Sequence, residues 1–228
     1  MMTNETILKV LELTDKNNKN YDLDKARQIL KEQILKADNK ESYKIISLVK
    51  KIIEQKELIK TRPALAKVQI RNNKQFICDG YVAVEWKYYE KALDTLPQNT
   101  ENTIAIEQIY FTGVPYEMTA NDITIINNIK AVKDYIKAEK SADDKIKTRI
   151  VALFGKFFDL NIIENAIKIM LSYNEDFTIT KQDDNRYTPI QIENSKIKAL
   201  ILPVRILREE EGQRIYDQTQ RICDIIRG

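Results

Sequence analysis

The sequence has no histidine, five glycines and two cysteines among its 228 residues. Without histidine the chain cannot form a Ser-His or Cys-His nucleophilic pair or a His-ligated metal site. The few glycines leave no G-x-x-x-x-G-K-[ST] phosphate loop and no G-x-G-x-x-G turn. Cys78 and Cys223 lack metal-ligand spacing, so neither a zinc site nor a disulfide framework is expected. We predict a protein without a metal or cofactor.

Carboxylate chemistry is the enzymatic alternative that remains, because Asp143-Asp144 and Asp183-Asp184 are adjacent acidic pairs. Neighbours in sequence do not share a helix face, and the second pair lies in the turn-like stretch KQDDNRY. Solvated loop charges are therefore the favoured interpretation. We predict that the protein is not an enzyme, and an acid-dependent enzyme stays as the third hypothesis below.

The chain also lacks a long apolar run and a large net charge. No segment approaches the roughly 18 apolar residues that span a bilayer, and Met1–Val10 lacks the basic start and apolar stretch of a signal peptide. We therefore expect a cytoplasmic protein in a reduced compartment, with no membrane partner. The formal net charge of +3 is too small to indicate nucleic-acid binding by itself.

What is present is an ordinary globular composition, with 43% hydrophobic and 31% charged residues. Helical spacing around the polar break DKNNKN predicts a helical hairpin over residues 3–38, within an N-terminal extension of residues 1–41. A stronger helix is predicted over about 42–59, where a broad apolar stripe runs from Ile45 to Ile53. Its opposite face carries Lys44, Lys50 and Lys51.

From Arg62 onward the pattern changes to that of strands. The alternation in residues 66–70, the turn RNNK at 71–74 and the run FICDGYVAVEW at 76–86 predict a hairpin. Asp79-Gly80 interrupts the last run and predicts a bulge or tight bend there.

Residues 94–150 are predicted to form an insertion. It contains a short strand at Ile104–Phe111 and a helix over about 121–140, with Thr119 and Asn121-Asp122 as cap candidates. Lysines line one side of this helix: Lys130, Lys133, Lys137 and Lys140. A solvated helix is favoured over a partner-binding one.

A second half follows the insertion. A strand at 148–154 leads into a helix over 157–171, in which Asn161 and Glu164 can form a capping box. Three strand-like segments come next, at 176–182, 188–194 and 196–206. A charged helix over about 207–226 closes the chain and defines a C-terminal extension of residues 207–228.

Both halves combine a helix with antiparallel strands, and the rule that elements pack in layers places the two helices on one face of a curved sheet. The prediction is an α+β fold with a single domain over residues 42–206. Helical extensions flank this domain at both ends.

Four segments resemble the β sliding clamp family, the bacterial DNA polymerase processivity factors. Residues 76–84 are similar to the family's Thr-Asp-Gly-aromatic-Arg-Leu-Ala signature, and Phe157–Leu171 resembles its F-x-x-x-Y-L-x-x-A-L helix entry. Residues 189–193 resemble the P-L-x-I strand, and ALILPVRI at 199–206 resembles the V-V-M-P-M-R-L terminus.

The resemblance covers about residues 42–93 and 150–206, one domain where a full bacterial clamp chain has three. It implies a reduced clamp-like protein of a phage or mobile element. Clamp helices meet DNA phosphates through long basic side chains. The residues that the resemblance assigns to double-stranded DNA are Lys44, Lys50, Lys51, Lys156 and Lys168. A closed ring requires several copies meeting edge to edge, so a homo-oligomer is expected.

In the family, a cleft receives short linear peptides from polymerases and other replication proteins. By that likeness one cleft wall consists of Leu202, Pro203, Val204, Arg205 and Ile206. The other wall consists of Cys78, Asp79, Gly80, Tyr81 and Val82, with valine where the family has arginine. A proline-blocked strand end leaves backbone groups and apolar side chains available to a peptide. Because one domain carries both walls, a complete pocket is expected to require two copies.

Two hypotheses follow from the resemblance. The first is a sliding-clamp-like, non-enzymatic DNA replication accessory, with basic helix faces toward DNA and strand edges for self-association. The second is an interaction protein that keeps the clamp fold and binds a replication protein as an adaptor or inhibitor, without encircling DNA. A third hypothesis does not depend on the resemblance: an enzyme that uses the carboxylates of the adjacent acidic pairs.

Overall fold

The computed structural model of the protein describes residues 3–101, 103–105, 108–138 and 149–228. These ranges form an α+β fold, as predicted, with an eight-stranded, mostly antiparallel sheet and a separate two-stranded hairpin. The helices are α1 (Asn4–Thr14), α2 (Leu23–Asp38), α3 (Lys40–Ile53), α4 (Lys56–Thr61), α5 (Ala120–Asn127), α6 (Ile129–Ala138), α7 (Leu160–Leu171) and α8 (Glu209–Arg227). The strands are β1 (Val68–Arg71), β2 (Lys74–Cys78), β3 (Val82–Trp86), β4 (Gln98–Asn99), β5 (Val114–Tyr116), β6 (Ile150–Leu153), β7 (Lys156–Asp159), β8 (Thr178–Lys181), β9 (Ile190–Glu193) and β10 (Ile197–Ile201). A short 3-10 helix covers Lys91–Thr95.

The large sheet is built from two halves of the same order. Helix α3 is followed by the antiparallel meander β1-β2-β3, and α7 is followed by the antiparallel meander β8-β9-β10. The last strands of the two meanders, β3 and β10, pair antiparallel at the centre, with Ala199 opposite Val84. Short strands complete the two sides of the sheet: β4 pairs parallel with β1, and β5 pairs antiparallel with β8.

Helices α3 and α7 pack side by side and against the strands, as the layer argument predicts. Their apolar stripes belong to one core cluster with the inward side chains of both meanders. Trp86 at the end of β3 is fully buried in this core, and its Nε1 donates to Tyr173 Oη at 2.7 Å. Helix α2 contacts the outer side of α3, and α6 contacts α7.

The opposite face of the sheet is partly covered by the insertion. A second cluster contains Phe76, Ala83 and Leu200, with Cys78, Ile104, Tyr110 and Phe111 packed against it. The described residues of 104–111 form no strand, so the strand predicted there is wrong. Ile104, Tyr110 and Phe111 instead pack on the apolar side chains of this sheet face.

The helix predicted over 121–140 is divided into α5 and α6. Thr119 caps α5 in a capping box with Asp122, as the cap candidates suggested. The break falls at Asn127 and Asn128, residues with low helix propensity. Lys140, Asp143-Asp144 and Thr148 lie outside the described residues.

Residues 156–159 form β7, not the first turn of the helix predicted over 157–171. Phe158 belongs to the main core and Phe157 to a different cluster, the two-residue alternation of a strand. Helix α7 therefore begins after Asp159, whose Oδ1 accepts a hydrogen bond from Asn161 N at 2.8 Å. The predicted capping box of Asn161 with Glu164 is accordingly wrong.

The two predicted extensions attach differently. The N-terminal hairpin forms as predicted, with α1 packed on α2 and α2 on α3. Helix α8 packs on β6, α5 and α6, and its Ile222 and Cys223 belong to the main core. The last helix, predicted as a C-terminal extension, is thus packed into the core of the domain.

Candidate functional site

The two predicted cleft walls meet within one chain. Because β3 pairs with β10, the β2–β3 turn lies beside the end of β10. Leu202 N donates to Tyr81 O at 2.9 Å, one step beyond the regular ladder. The walls are therefore adjacent without a second copy, contrary to the expectation that two copies would bring them together.

Asp79 shapes the first wall. Its Oδ1 accepts hydrogen bonds from Tyr81 N and Val82 N, both at 2.8 Å. Its Oδ2 accepts from Gln55 Nε2 at 3.2 Å. The carboxylate is thus engaged by the protein itself, and the exposed group of the turn is the Tyr81 ring, which is 58% exposed.

Arg62 is a part of this wall that no sequence pattern indicated. A Cβ placed on Gly80, which has φ +97°, would lie 2.6 Å from Arg62 Nη1, so the guanidinium lies directly over the glycine. Cys78 lies below the turn, and burial raises the pKa of its thiol. The thiol is therefore protonated at neutral pH and is a weak nucleophile.

The second wall is only partly open. Pro203 follows the last paired residues of β10, and Val204 N donates to Phe157 O at 2.8 Å. Ile206 is buried in a cluster with Ala152, Phe157 and Ile215, against which Val204 packs. Helix α8 contributes Ile215 and so covers the inner side of this wall. Leu202 and Arg205 remain exposed.

The exposed side chains of the two walls are apolar or basic. We call Tyr81, Leu202, Pro203, Arg205 and Arg62 the strand-end surface. It combines three side chains with apolar area and two guanidinium groups. Because the Asp79 oxygens are already occupied, this surface favours a ligand with apolar and acidic groups.

The predicted DNA-binding lysines differ in their exposure and in their ion pairs. Lys44 and Lys51 are exposed on α3, and no ion pair engages them in the described part of the chain. Lys50 is paired with Glu32 of α2 at 2.5 Å and with Glu54 at 3.7 Å.

Lys168 belongs to a charge cluster between two helices. Glu164 of α7 accepts hydrogen bonds from Lys168 of its own helix and from Lys133 of α6, the latter at 2.7 Å. Burial of Glu164 favours its neutral form, but these two hydrogen bonds outweigh burial and lower the pKa of the carboxyl. The charge of Lys168 is therefore largely compensated.

Lys156 is wrong as a DNA contact. The side chain is 2% exposed, and its Nζ donates to Asn185 O and to Thr188 Oγ1, the latter at 2.9 Å. Burial lowers the pKa of this ammonium group. The lysine anchors the 183–188 loop and cannot reach a phosphate.

The remaining acidic pair has local partners. Asp183 Oδ1 accepts from Asn185 N and Thr188 Oγ1, and Asp184 pairs with Lys181 at 2.6 Å. Across the described ranges, no three His, Cys, Asp or Glu side chains are grouped so that they could hold a metal ion. No helix in these ranges has the length and apolar character needed to cross a membrane.

No protein-family model, curated protein or solved structure gives a significant match to this chain. The fold defines a two-layer α+β protein with two helix-and-meander halves.

Proposed function

We propose that the protein is a clamp-like, non-enzymatic interaction protein of DNA replication, an adaptor or inhibitor that acts in the cytoplasm without encircling DNA. The observation that carries this proposal is the pair of helix-and-meander halves joined through β3 and β10, with α3 and α7 packed together. The resemblance to the β sliding clamp family implies this arrangement. Two of the segments that carry the resemblance, the Asp79-Gly80 turn and the end of β10, meet at the strand-end surface.

The sheet edges support a form that does not close into a ring. Strand β4 has two residues, and β5 has three with Pro115 in the middle. Proline offers no N–H to a neighbouring strand, and short edge strands limit pairing between copies. A ring built edge to edge would have to displace or extend these strands.

The charges on the helices also support a protein that does not encircle DNA. Lys44 and Lys51 are the members of the predicted DNA-binding set that remain exposed and without an ion pair in the described residues. Two such contacts give weak, strongly salt-dependent binding to duplex DNA. We therefore expect no retention on duplex DNA at physiological salt.

The partner we propose is a short linear peptide of a polymerase or another replication protein. Tyr81, Leu202 and Pro203 offer apolar contacts at a strand end, a common mode of peptide recognition. Arg62 and Arg205 favour an acidic side chain or a terminal carboxylate. Arg62 would also supply a cation to the wall in which Val82 replaces the family's arginine.

The test is fluorescence anisotropy with a labelled peptide that has two apolar residues and one acidic residue, taken from the replicative polymerase of the same cell. We expect saturable binding that Leu202→Asp weakens at least about tenfold, because a buried carboxylate opposes apolar contact. Tyr135→Ala, at an exposed aromatic of α6, is the matched control and should bind like the wild type. Equal binding by Leu202→Asp, or no saturable binding, would contradict the proposal.

A further inference from the structure

The N-terminal hairpin exposes more large apolar side chains than it buries. Leu13 and Ala26 are its buried apolar residues. The exposed ones are Ile7, Leu8 and Leu11 of α1 and Leu23, Leu30 and Ile34 of α2. Leu8 is 67% exposed and Ile34 is 61% exposed. A clustered apolar surface of this kind on a soluble protein marks an interaction site.

The spacing of these residues places them in two stripes. Ile7 and Leu11 are four residues apart and lie beside Leu8 on α1, so they share one side of the helix. On α2, Leu23, Leu30 and Ile34 follow each other at intervals of seven and four residues, which also keeps them on one side. Each helix of the hairpin thus presents an apolar stripe that its packing in the monomer leaves in solvent.

The charges beside the two stripes have opposite signs. Glu5 and Glu12 stand three residues before and four residues after Leu8, so they flank the α1 stripe. On α2, Arg27 lies between Leu23 and Leu30, and Lys31 lies three residues before Ile34. All four charged side chains are exposed.

These charges form few ion pairs within the chain. In the described ranges, no ion pair engages Glu5, Glu12 or Lys31, and Glu12 accepts a hydrogen bond from Asn20 Nδ2. Arg27 Nη1 is 3.7 Å from Asp24 Oδ1, and the two side chains are 73% and 95% exposed. An ion pair this exposed contributes little to stability.

We propose that the N-terminal hairpins of two copies of this chain pack together in a four-helix bundle, with α1 of each copy on α2 of its partner. A two-fold symmetric interface makes this contact twice with the same residues. Each contact joins an acid-flanked stripe to a base-flanked stripe, whereas α1 against α1 or α2 against α2 would juxtapose like charges. A four-helix bundle closes the apolar surface that one hairpin leaves open. The dimer contact uses α1 and α2 and not the strand-end surface. It can therefore be tested independently of the proposed peptide binding.

The test is charge reversal followed by mixing, with the molar mass measured by light scattering over about 1–100 μM, a range that spans μM affinity. The wild type is expected at twice the chain mass of 26.7 kDa. Glu5→Lys with Glu12→Lys, and separately Arg27→Glu with Lys31→Glu, should each weaken the dimer at least about tenfold. An equimolar mixture of the two variants should form the dimer again, because both contacts then join opposite charges.

A matched control reverses the same number of charges elsewhere. Lys44→Glu with Lys51→Glu on α3 should leave the dimer intact. Circular dichroism checks that every variant is folded, and both hairpin variants should bind the labelled peptide like the wild type. A monomeric wild type throughout the range, a dimer that survives both reversals, or folded variants that stay monomeric on mixing would each overturn the proposal.

Discussion

Asp122 and Lys156 are buried charged residues, each exposed by 2%. Asp122 accepts four hydrogen bonds, from Tyr116 Oη, Thr119 N, Thr119 Oγ1 and Phe154 N, at 2.7 to 2.8 Å. Lys156 donates to a backbone carbonyl and a hydroxyl of the 183–188 loop. Buried charges persist when such partners replace water. Both residues act as structural anchors, one for the start of α5 and one for a loop.

Glu164 gives a prediction about pH. Its carboxyl has a lower pKa in the folded protein than the usual 4.5, because the hydrogen bonds from Lys133 and Lys168 outweigh burial. A depressed folded pKa contributes stability that is present above the unfolded value and is lost as pH falls through the folded value. Glu164→Gln should therefore cost about 1 kcal/mol at pH 7. The difference from the wild type should shrink as pH falls below about 4.5.

Urea denaturation of both proteins between pH 3 and 7 measures this difference. Glu57→Gln on the exposed face of α4 is the control and should stay within about 0.5 kcal/mol of the wild type at each pH. A Glu164→Gln deficit that is the same at pH 3 and pH 7 would show that the ion pairs are not its cause.

Two tight turns share one backbone conformation at the scale of the element. Asn72 and Asn73 between β1 and β2 have φ 51° and 61°, and Phe154 and Gly155 between β6 and β7 have φ 54° and 72°. Two consecutive positive φ values are the pattern of a type I′ hairpin turn, which suits asparagine and glycine. Phe154 adopts it because its ring is buried in the core and its N–H is held by Asp122.

Substitutions in these two turns should change the stability in opposite directions. Gly155→Ala should destabilise by about 1 kcal/mol, because alanine is strained at positive φ. The new Cβ itself would meet Tyr116 at an ordinary 3.8 Å. Asn73→Gly should stabilise by up to about 0.5 kcal/mol. Asn165→Gly within α7 is the control and should destabilise, since glycine lowers helix propensity. Thermal unfolding measures all three, and a stabilising Gly155→Ala would contradict the assigned turn.

The elements also show what the sequence could predict. Helix α3, strands β1 and β3 and the turn RNNK follow from local spacing and turn chemistry, and the structure contains them. Every residue of β3 is buried, so its burial does not alternate as the sequence does. The strand expected at Ile104–Phe111 is wrong in the described residues, because Ile104, Tyr110 and Phe111 pack on the sheet face. Asp79 and the end of β10 could be paired as one site only through the resemblance, since their contact depends on the long-range pairing of β3 with β10.

Lysine burial and the Arg62 contact were beyond local prediction. Lysine is rarely buried, so a solvent-facing Lys156 is the natural expectation. Its burial depends on a loop almost thirty residues further along the chain. Arg62 follows α4 and lies against Gly80, a glycine in a different part of the fold. In both cases the decisive partner is distant in sequence.

The whole molecule is asymmetric in what its two ends contribute to the core. Helix α1 contacts α2 and adds no residue to the main cluster. Helix α8 supplies Ile222 and Cys223 to that cluster, and Thr219 Oγ1 accepts from Ala152 N at 3.0 Å along β6. Removal of α8 would expose this backbone N–H and several core side chains, whereas removal of α1 would not open the main core.

Two truncations of nearly equal length test this asymmetry. Deletion of residues 1–21 should leave a cooperative thermal transition and a well-dispersed amide NMR spectrum. Deletion of residues 209–228 should abolish both. Each fully buried isoleucine of α8 contributes about 1.5–3 kcal/mol, so losing Ile215, Ile222 and the Thr219 hydrogen bond removes a large part of the roughly 5–15 kcal/mol of a typical domain.

Thr219→Val, which keeps the helix, should cost about 1–3 kcal/mol by leaving Ala152 N–H without its partner. A cooperative transition at the wild-type temperature after the C-terminal deletion would instead show that α8 is an extension that the core does not require.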